Sequence, residues 1–127
     1  MSPRAAGATQ HELSRIGLLA TLPGETLARL AQGMRREDVP AGAAVVTEGA
    51  EGDRFYVVLR GMFTVSQHDR GAQSVLRPGD YFGEVALAMH MPRTASVRAL
   101  TPATVASCDL ETFEKFVRPL FADDENK

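Results

Sequence analysis

The sequence predicts a mainly β domain of the sandwich or jelly-roll kind, with short helices at both ends. Three observations carry that expectation. Six short β-branched or aromatic runs lie between residues 45 and 106. Turn-forming clusters separate them at a spacing of roughly 8–12 residues, the rhythm of an all-β roll. Apolar residues at helical period occur before and after that stretch and, within it, only over one short segment.

The elements follow in order. Residues 1 to 11 are small, polar and broken by Pro3 and Gly7, and are expected to be a flexible tail. Leu13, Ile16 and Leu19 keep a 3.6 period, and Leu27, Leu30, Ala31 and Met34 repeat it, predicting two short helices. Pro23 suits the start of the second, because its missing amide would be orphaned there anyway, and Gly33 suits its end. The strand runs are Val45–Val46, Phe55–Leu59, Met62–Val65, Ser74–Leu76, Ala95–Val97 and Ala103–Ala106. Between them stand Pro40-Ala41-Gly42, Glu51-Gly52-Asp53, Arg60-Gly61, Asp69-Arg70-Gly71 and Pro78-Gly79-Asp80, all residues that favour turns. Phe82 to Met91 breaks the strand rhythm with helix-compatible residues behind Gly83, and reads as one or two helical turns held between strands. Asp109 suits an N-cap for a last helix with Phe113, Phe116, Val117 and Leu120 on one face. Pro119 is expected to kink or end it, leaving 119–127 as a truncated segment or tail.

Composition narrows the function. The 127 residues suit one domain, and the formal net charge of −2 offers no basic surplus for nucleic acid or an anionic membrane. A single Cys, Cys108, makes neither an internal disulfide nor a cysteine zinc cluster, which suits a reducing compartment. The first residues have no apolar core of a signal peptide and no run reaches spanning length, so the expected location is cytoplasmic, without membrane insertion. His11, His68 and His90 have no metal-like spacing, so a metal-dependent β-roll enzyme is disfavoured and no metal, catalytic residue or cofactor is expected.

Chemistry concentrates in Gly83-Glu84-Val85-Ala86-Leu87 and Pro92-Arg93-Thr94-Ala95-Ser96. A helix that starts at a glycine exposes unpaired amides, and Arg93 adds a cationic fork suited to phosphate. Glu84 would repel a phosphate unless a hydroxyl stood between them. A ligand with a sugar hydroxyl close to its phosphate satisfies both side chains. Taken singly, Arg93 is more often an ion-pair partner and Glu84 a residue that complements a helix dipole; their joint spacing is what favours a site.

This segment resembles the phosphate-binding cassette of cyclic-nucleotide-binding domains, found in bacterial catabolite activators, cyclic-nucleotide-dependent kinases and gated channels. The family pattern of apolar-Gly-Glu-x-Ala-Leu, then Arg-Ser/Thr/Ala-Ala-x-Val, stands here as Phe82-Gly83-Glu84-Val85-Ala86-Leu87 and Arg93-Thr94-Ala95-Ser96-Val97. The upstream glycine pattern is matched by Glu48-Gly49-Ala50-Glu51-Gly52, Phe55-Tyr56-Val57-Val58 and Gly61. The resemblance covers residues 12 to 118 and implies an eight-stranded β-roll with an embedded cassette helix and a C-terminal helix. It implies 3′,5′-cyclic AMP or cyclic GMP as ligand. Glu84 would accept from the ribose 2′-hydroxyl, and Arg93 would pair with the cyclic phosphate. The amides of Gly83, Val85, Ala86 and Thr94 would complete the cradle, with Ala95 allowing close approach and Val65 and Ser74 lining the base pocket. A hydroxyl at Thr94 can bond a syn guanine, and Thr or Ser also occurs in cyclic-AMP binders. The implied role is a sensor that repositions its terminal helices to control an effector outside this chain, with room for a homodimer. The alternative is an interaction or dimerisation module of the same fold that binds no nucleotide. Gly49, Gly52 and Gly61 are expected to be turn glycines, and Phe55, Tyr56, Tyr81, Phe82, Phe113 and Phe116 to pack.

Overall fold

Two sequence runs, Phe55-Tyr56-Val57-Val58 and Ala103 to Cys108, have no polar face to give to water, and they become the paired central strands of the structure. The computed structural model describes residues 8–125; residues 1–7, most of the expected tail, and 126–127 lie outside the described residues. Strands β1 (Arg35–Val39), β8 (Ala103–Cys108), β3 (Phe55–Arg60) and β6 (Tyr81–Phe82) form one antiparallel sheet in that order. Strands β2 (Ala44–Val46), β7 (Ser96–Ala99), β4 (Phe63–Gln67) and β5 (Gly71–Leu76) form the other. The eight strands make the expected roll. β1 and β6 are additions to the six runs.

Alternation along the central strands builds two cores. Tyr56, Val58, Ala103 and Val105 point between the sheets, where they meet Phe63, Phe82, Val97 and Ala99. Phe55, Val57, Ala106 and Cys108 point the other way, onto a helical layer. That layer contains α1 (Gln10–Ser14), α2 (Gly24–Gln32) and the C-terminal helical segment. Leu13, Leu19 and Leu30 within it are fully buried, each contributing about 1.5–3 kcal/mol.

Three local expectations are corrected. Helix α1 begins within the segment read as tail: Thr9 caps it through a capping box with Glu12, at 3.0 Å in both directions. It then stops at Ser14, and Ile16 and Leu19 keep facing inward through successive i→i−3 turns, Ile16 N–H to Leu13 O and Leu19 N–H to Ile16 O. A 3-residue turn and a 3.6-residue helix place this apolar pattern on the same side, so sequence period does not separate them. Most consequentially, Pro119 does not end the last helix. Asp109 caps α4 (Leu110–Thr112) by accepting from Thr112 N–H, a π turn runs over Phe113–Val117, and α5 continues over Arg118–Glu125. In that turn Arg118 N–H donates to Phe113 O, an i→i−5 bond. The widened turn immediately precedes Pro119, where the ladder must accept a residue without an amide.

Candidate functional site

The segment between β6 and β7 sits against the mouth of the roll, and its local sequence dictates its shape. Gly83 has φ 96°, a left-handed conformation that lets the chain turn from β6 straight into α3 (Glu84–Met89). His90, also left-handed at φ 56°, turns it out again. Gly83 is doubly constrained, because a Cβ there would stand 2.8 Å from Arg93 Nη1 and 2.9 Å from Arg54 O.

Arg93 is the organising residue. Its side chain is drawn into the protein, with only 6% of the residue exposed. Nη1 donates to Gly83 O at 3.2 Å and Nη2 to Arg54 O at 2.8 Å. The guanidinium carbon lies 5.8 Å from the centre of the Tyr56 ring, which itself stacks on Phe82 at 4.9 Å. Among the described residues no carboxylate lies within 4.0 Å of the guanidinium. Burial lowers the Arg93 pKa from its ordinary value, while Tyr56, Asp53 and Glu84 act to raise it. The result is a buried cation held by neutral acceptors, an arrangement that a bound anion would complete.

The backbone around Arg93 is held from both sides. Its N–H donates to Ala50 O and its C=O accepts from Gly49 N–H, each at 2.8 Å, so the glycine-rich loop is clamped to the cassette. Gly52 is more than a turn residue here: a Cβ on it would lie 2.6 Å from Ala86 Cβ and 3.1 Å from Arg93 Cζ. Arg54 holds its own position by donating from Nε to Ser107 Oγ at 2.8 Å and from Nη2 to Ser107 O at 3.1 Å. Its carbonyl is thereby fixed as the acceptor for Arg93. Gln67 on β4 donates to Thr94 O at 2.9 Å, tying the cassette to the second sheet.

These contacts bound an open cavity of about 200 Å³. It is lined from α3 by Gly83, Glu84, Val85 and Ala86, from the following loop by Arg93, Thr94 and Ala95, and from β4 by Val65. Eight of the nine expected site residues therefore surround one space. Ser74, the ninth, pairs in register with Val65 and is exposed outside this lining, whereas Leu76 on the same strand is part of it. The β4–β5 pair alone does not say how far along the edge strand the cavity reaches. Tyr81 and Phe82 both pack and line the cavity, and Val46 and Val97 complete it. Burial pushes the Glu84 carboxyl above the ordinary carboxylate range, with its own amide and Arg93 drawing it partly back.

The last helix also reaches this region. Phe121 on α5 meets Tyr81 edge-on at 5.7 Å between ring centres, and Phe55 touches Tyr81 at 5.9 Å. A wall of the cavity is thus in contact with the C-terminal helix, which an end at Pro119 would have precluded.

Fold and site together define a β-roll module whose cavity is organised around a buried arginine and a short helix. The chain belongs to the cyclic nucleotide-binding domain family, whose model matches residues 36–119. It is 37% identical over 109 residues to the cAMP-dependent protein kinase regulatory subunit of Yarrowia lipolytica, covering 85% of this chain and 29% of that protein. Its fold matches the regulatory domain of Toxoplasma gondii PKA crystallised with cAMP, with a TM-score of 0.83 and 26% identity over 92% of this chain and 48% of that one. The regulatory subunit of a cAMP-independent protein kinase A from Trypanosoma brucei gives a TM-score of 0.84 at 23% identity, over 91% of this chain and 43% of that one, a likeness of fold alone. The chain spans less than a third of the length of the kinase regulatory subunits it matches in sequence. No helix among the described residues is long and apolar enough to cross a membrane.

Proposed function

We propose that this chain is a non-catalytic sensor module, acting in the cytoplasm, that binds 3′,5′-cyclic AMP in the cavity around Arg93. The carrying observation is Arg93 itself: a cation 6% exposed at a cavity wall, bonded to carbonyls and lacking a carboxylate partner among the described residues. The names of the kinase relatives supply the nucleotide. Arg93 would pair with an exocyclic phosphate oxygen, and Glu84 would accept from the ribose 2′-hydroxyl. The amides of Gly83, Val85, Ala86 and Thr94 would complete the cradle. Residues 12–118 form the binding unit in this reading. A space of about 200 Å³ suits the phosphate and ribose better than a whole nucleotide, so the base would lie at the open mouth near Val65, Leu76 and Tyr81.

Signal would leave through Tyr81 and Phe121. A phosphate drawing Arg93 and α3 inward shifts that wall, and α5 packs on it. Only a difference in ligand affinity between two helix arrangements moves their populations. The effector lies in another protein or in further chain, as a kinase subunit would be for the relatives. Calorimetric titration with cyclic AMP and, separately, cyclic GMP tests the reading. Binding at micromolar affinity or tighter is expected, weakened about 30- to several-thousand-fold by Arg93→Ala. The smallness of the cavity favours one rival, an interaction module of the same fold. No heat from either nucleotide up to millimolar concentration would establish that rival and sink the sensor.

A further inference from the structure

A second cavity, of about 610 Å³, opens between the end of α1 and the β3–β4 turn. Its size falls within the range of small-molecule sites, and its charge is unlike that of the chain as a whole. Arg15, Arg36 and Arg60 line it from three separate elements, with Glu12 the one carboxylate among the lining residues. The local balance is three guanidinium groups less one carboxylate, a surplus of two positive charges in a chain whose formal net charge is −2.

Glu12 is already committed. One oxygen accepts the Thr9 amide at 3.0 Å, closing the cap of α1, and the other meets Arg36 Nη2 at 3.1 Å. Arg36 Nε is buried and has no acceptor among the described residues, so this guanidinium is only half satisfied. Among the described residues neither Arg15 nor Arg60 lies within 4.0 Å of a carboxylate. Asp38 lines a neighbouring cavity that Arg60 also borders, but it takes its hydrogen bond from Thr104 Oγ1 at 2.9 Å. Asp80, beyond the Pro78-Gly79 wall, takes the Arg77 amide at 2.8 Å. The wall is firm, because Gly79 N–H donates to Val58 O and Val58 N–H to Asp80 O. Ile16 and Leu59 give the cavity an apolar side.

We propose that this cavity binds the dianionic phosphate of an organic phosphomonoester, with Arg15, Arg36 and Arg60 on the phosphate and the apolar side against the organic group. Guanidinium forks suit a tetrahedral oxyanion, and a dianion matches the surplus of two charges. The phosphate could be presented by a free small molecule or by a phosphorylated serine. The site is separate from the cassette and stands whether or not the cassette binds nucleotide.

The test is a two-dimensional amide NMR titration of the full chain with phenyl phosphate and, separately, with a short phosphoserine peptide. Both are run in excess cyclic AMP and repeated without it, so that filling of the cassette is read independently. The expected result is saturable shifts at the amides of Arg15, Arg36, Arg60 and Gly79 that survive excess cyclic AMP. They should be lost in the Arg15→Gln/Arg60→Gln double variant, whose exposed substitutions leave the rest of the spectrum in place. Tighter binding of the peptide identifies a phosphorylated chain as the source, and tighter binding of phenyl phosphate a free one. No saturable shift with either probe up to millimolar concentration, shifts confined to residues 83–95, or shifts that persist in the double variant would each overturn the proposal.

Discussion

Replacing Gly52 with alanine tests how the cavity is assembled, because this glycine fills no unusual backbone conformation and is defined by its neighbours alone. The added Cβ would stand 2.6 Å from Ala86 Cβ and 3.1 Å from both Cζ and Nε of Arg93. Carbon atoms pack best at about 3.5–4.0 Å, so roughly 1 Å of displacement is needed. A methyl on Ala86 has no rotamer by which to move aside, and Arg93 is pinned at both carbonyls, so α3 and the guanidinium must part. Overpacking of this kind costs about 1–3 kcal/mol, which for a domain of this length lowers Tm by roughly 3–12 °C. Cyclic AMP affinity should fall as well, by roughly 10- to 150-fold, the equivalent of one charge-assisted hydrogen bond of about 1.5–3 kcal/mol. Gly42→Ala is the control: φ is 90° and nothing lies within 4 Å of its Cβ. It should lose about 1–2 kcal/mol through backbone strain alone and leave affinity within about twofold, far below one hydrogen bond. Scanning calorimetry and titration calorimetry on both variants read the two effects. If Gly52→Ala destabilised no more than Gly42→Ala and kept its affinity, the close approach of Gly52 would not seat Arg93 and α3.

Two further outcomes concern ionisation. The Glu84 carboxyl is raised above its ordinary 4.5 by burial. Its contribution to stability is therefore complete below that value and is lost as pH rises through the raised one. Glu84→Gln should raise the melting temperature of the free protein at neutral pH and leave it unchanged at the acid end; a lowered one at neutral pH would contradict the burial argument. Cyclic AMP affinity of the wild type should decline as acid protonates the carboxylate, and the variant's should not. The Cys108 thiol, fully buried on β8, is pushed from 9.0 up to about 12 by burial. It should resist a disulfide reagent in the native protein at mildly alkaline pH and react promptly in denaturant. Because its native pKa is raised, stability is retained below pH 9 and lost as pH climbs towards about 12, which alkaline melting curves would register.

The readability of this fold from sequence differed element by element, for physical reasons. Phe55 to Val58 and Ala103 to Ala106 were legible because strands buried on both faces need mostly apolar residues, Thr104 being the one polar residue aliphatic enough to be buried among them. β1 was not, because Arg35 to Asp38 are polar and only Val39 is buried. It pairs with β8 alone, as an edge strand whose charges deter further pairing. β6 is two residues long, too short for any period. Pro119 is expected to kink or end the last helix; the helix does not end there, and the irregularity falls as a π turn over the preceding Phe113–Val117. At the site, Gly83, Glu84 and Arg93 were visible because their chemistry is local. Gly52 stands in the glycine pattern but reads as a turn residue, and Arg54 gives no signal, because what each does is set by Ala86 and Arg93, far along the chain.

The sequence by itself determined which groups could meet a phosphate: a fork at Arg93, a carboxylate at Glu84, and a helix opening on a glycine that tolerates φ 96°. Those are properties of residue types and near neighbours. Tertiary structure decided the state of those groups. Arg93 finds its acceptor on Arg54, 39 residues earlier, and Arg54 is anchored by Ser107, 53 residues later. A buried charge takes its energy from every segment packed around it, and those segments are adjacent only after the chain has folded.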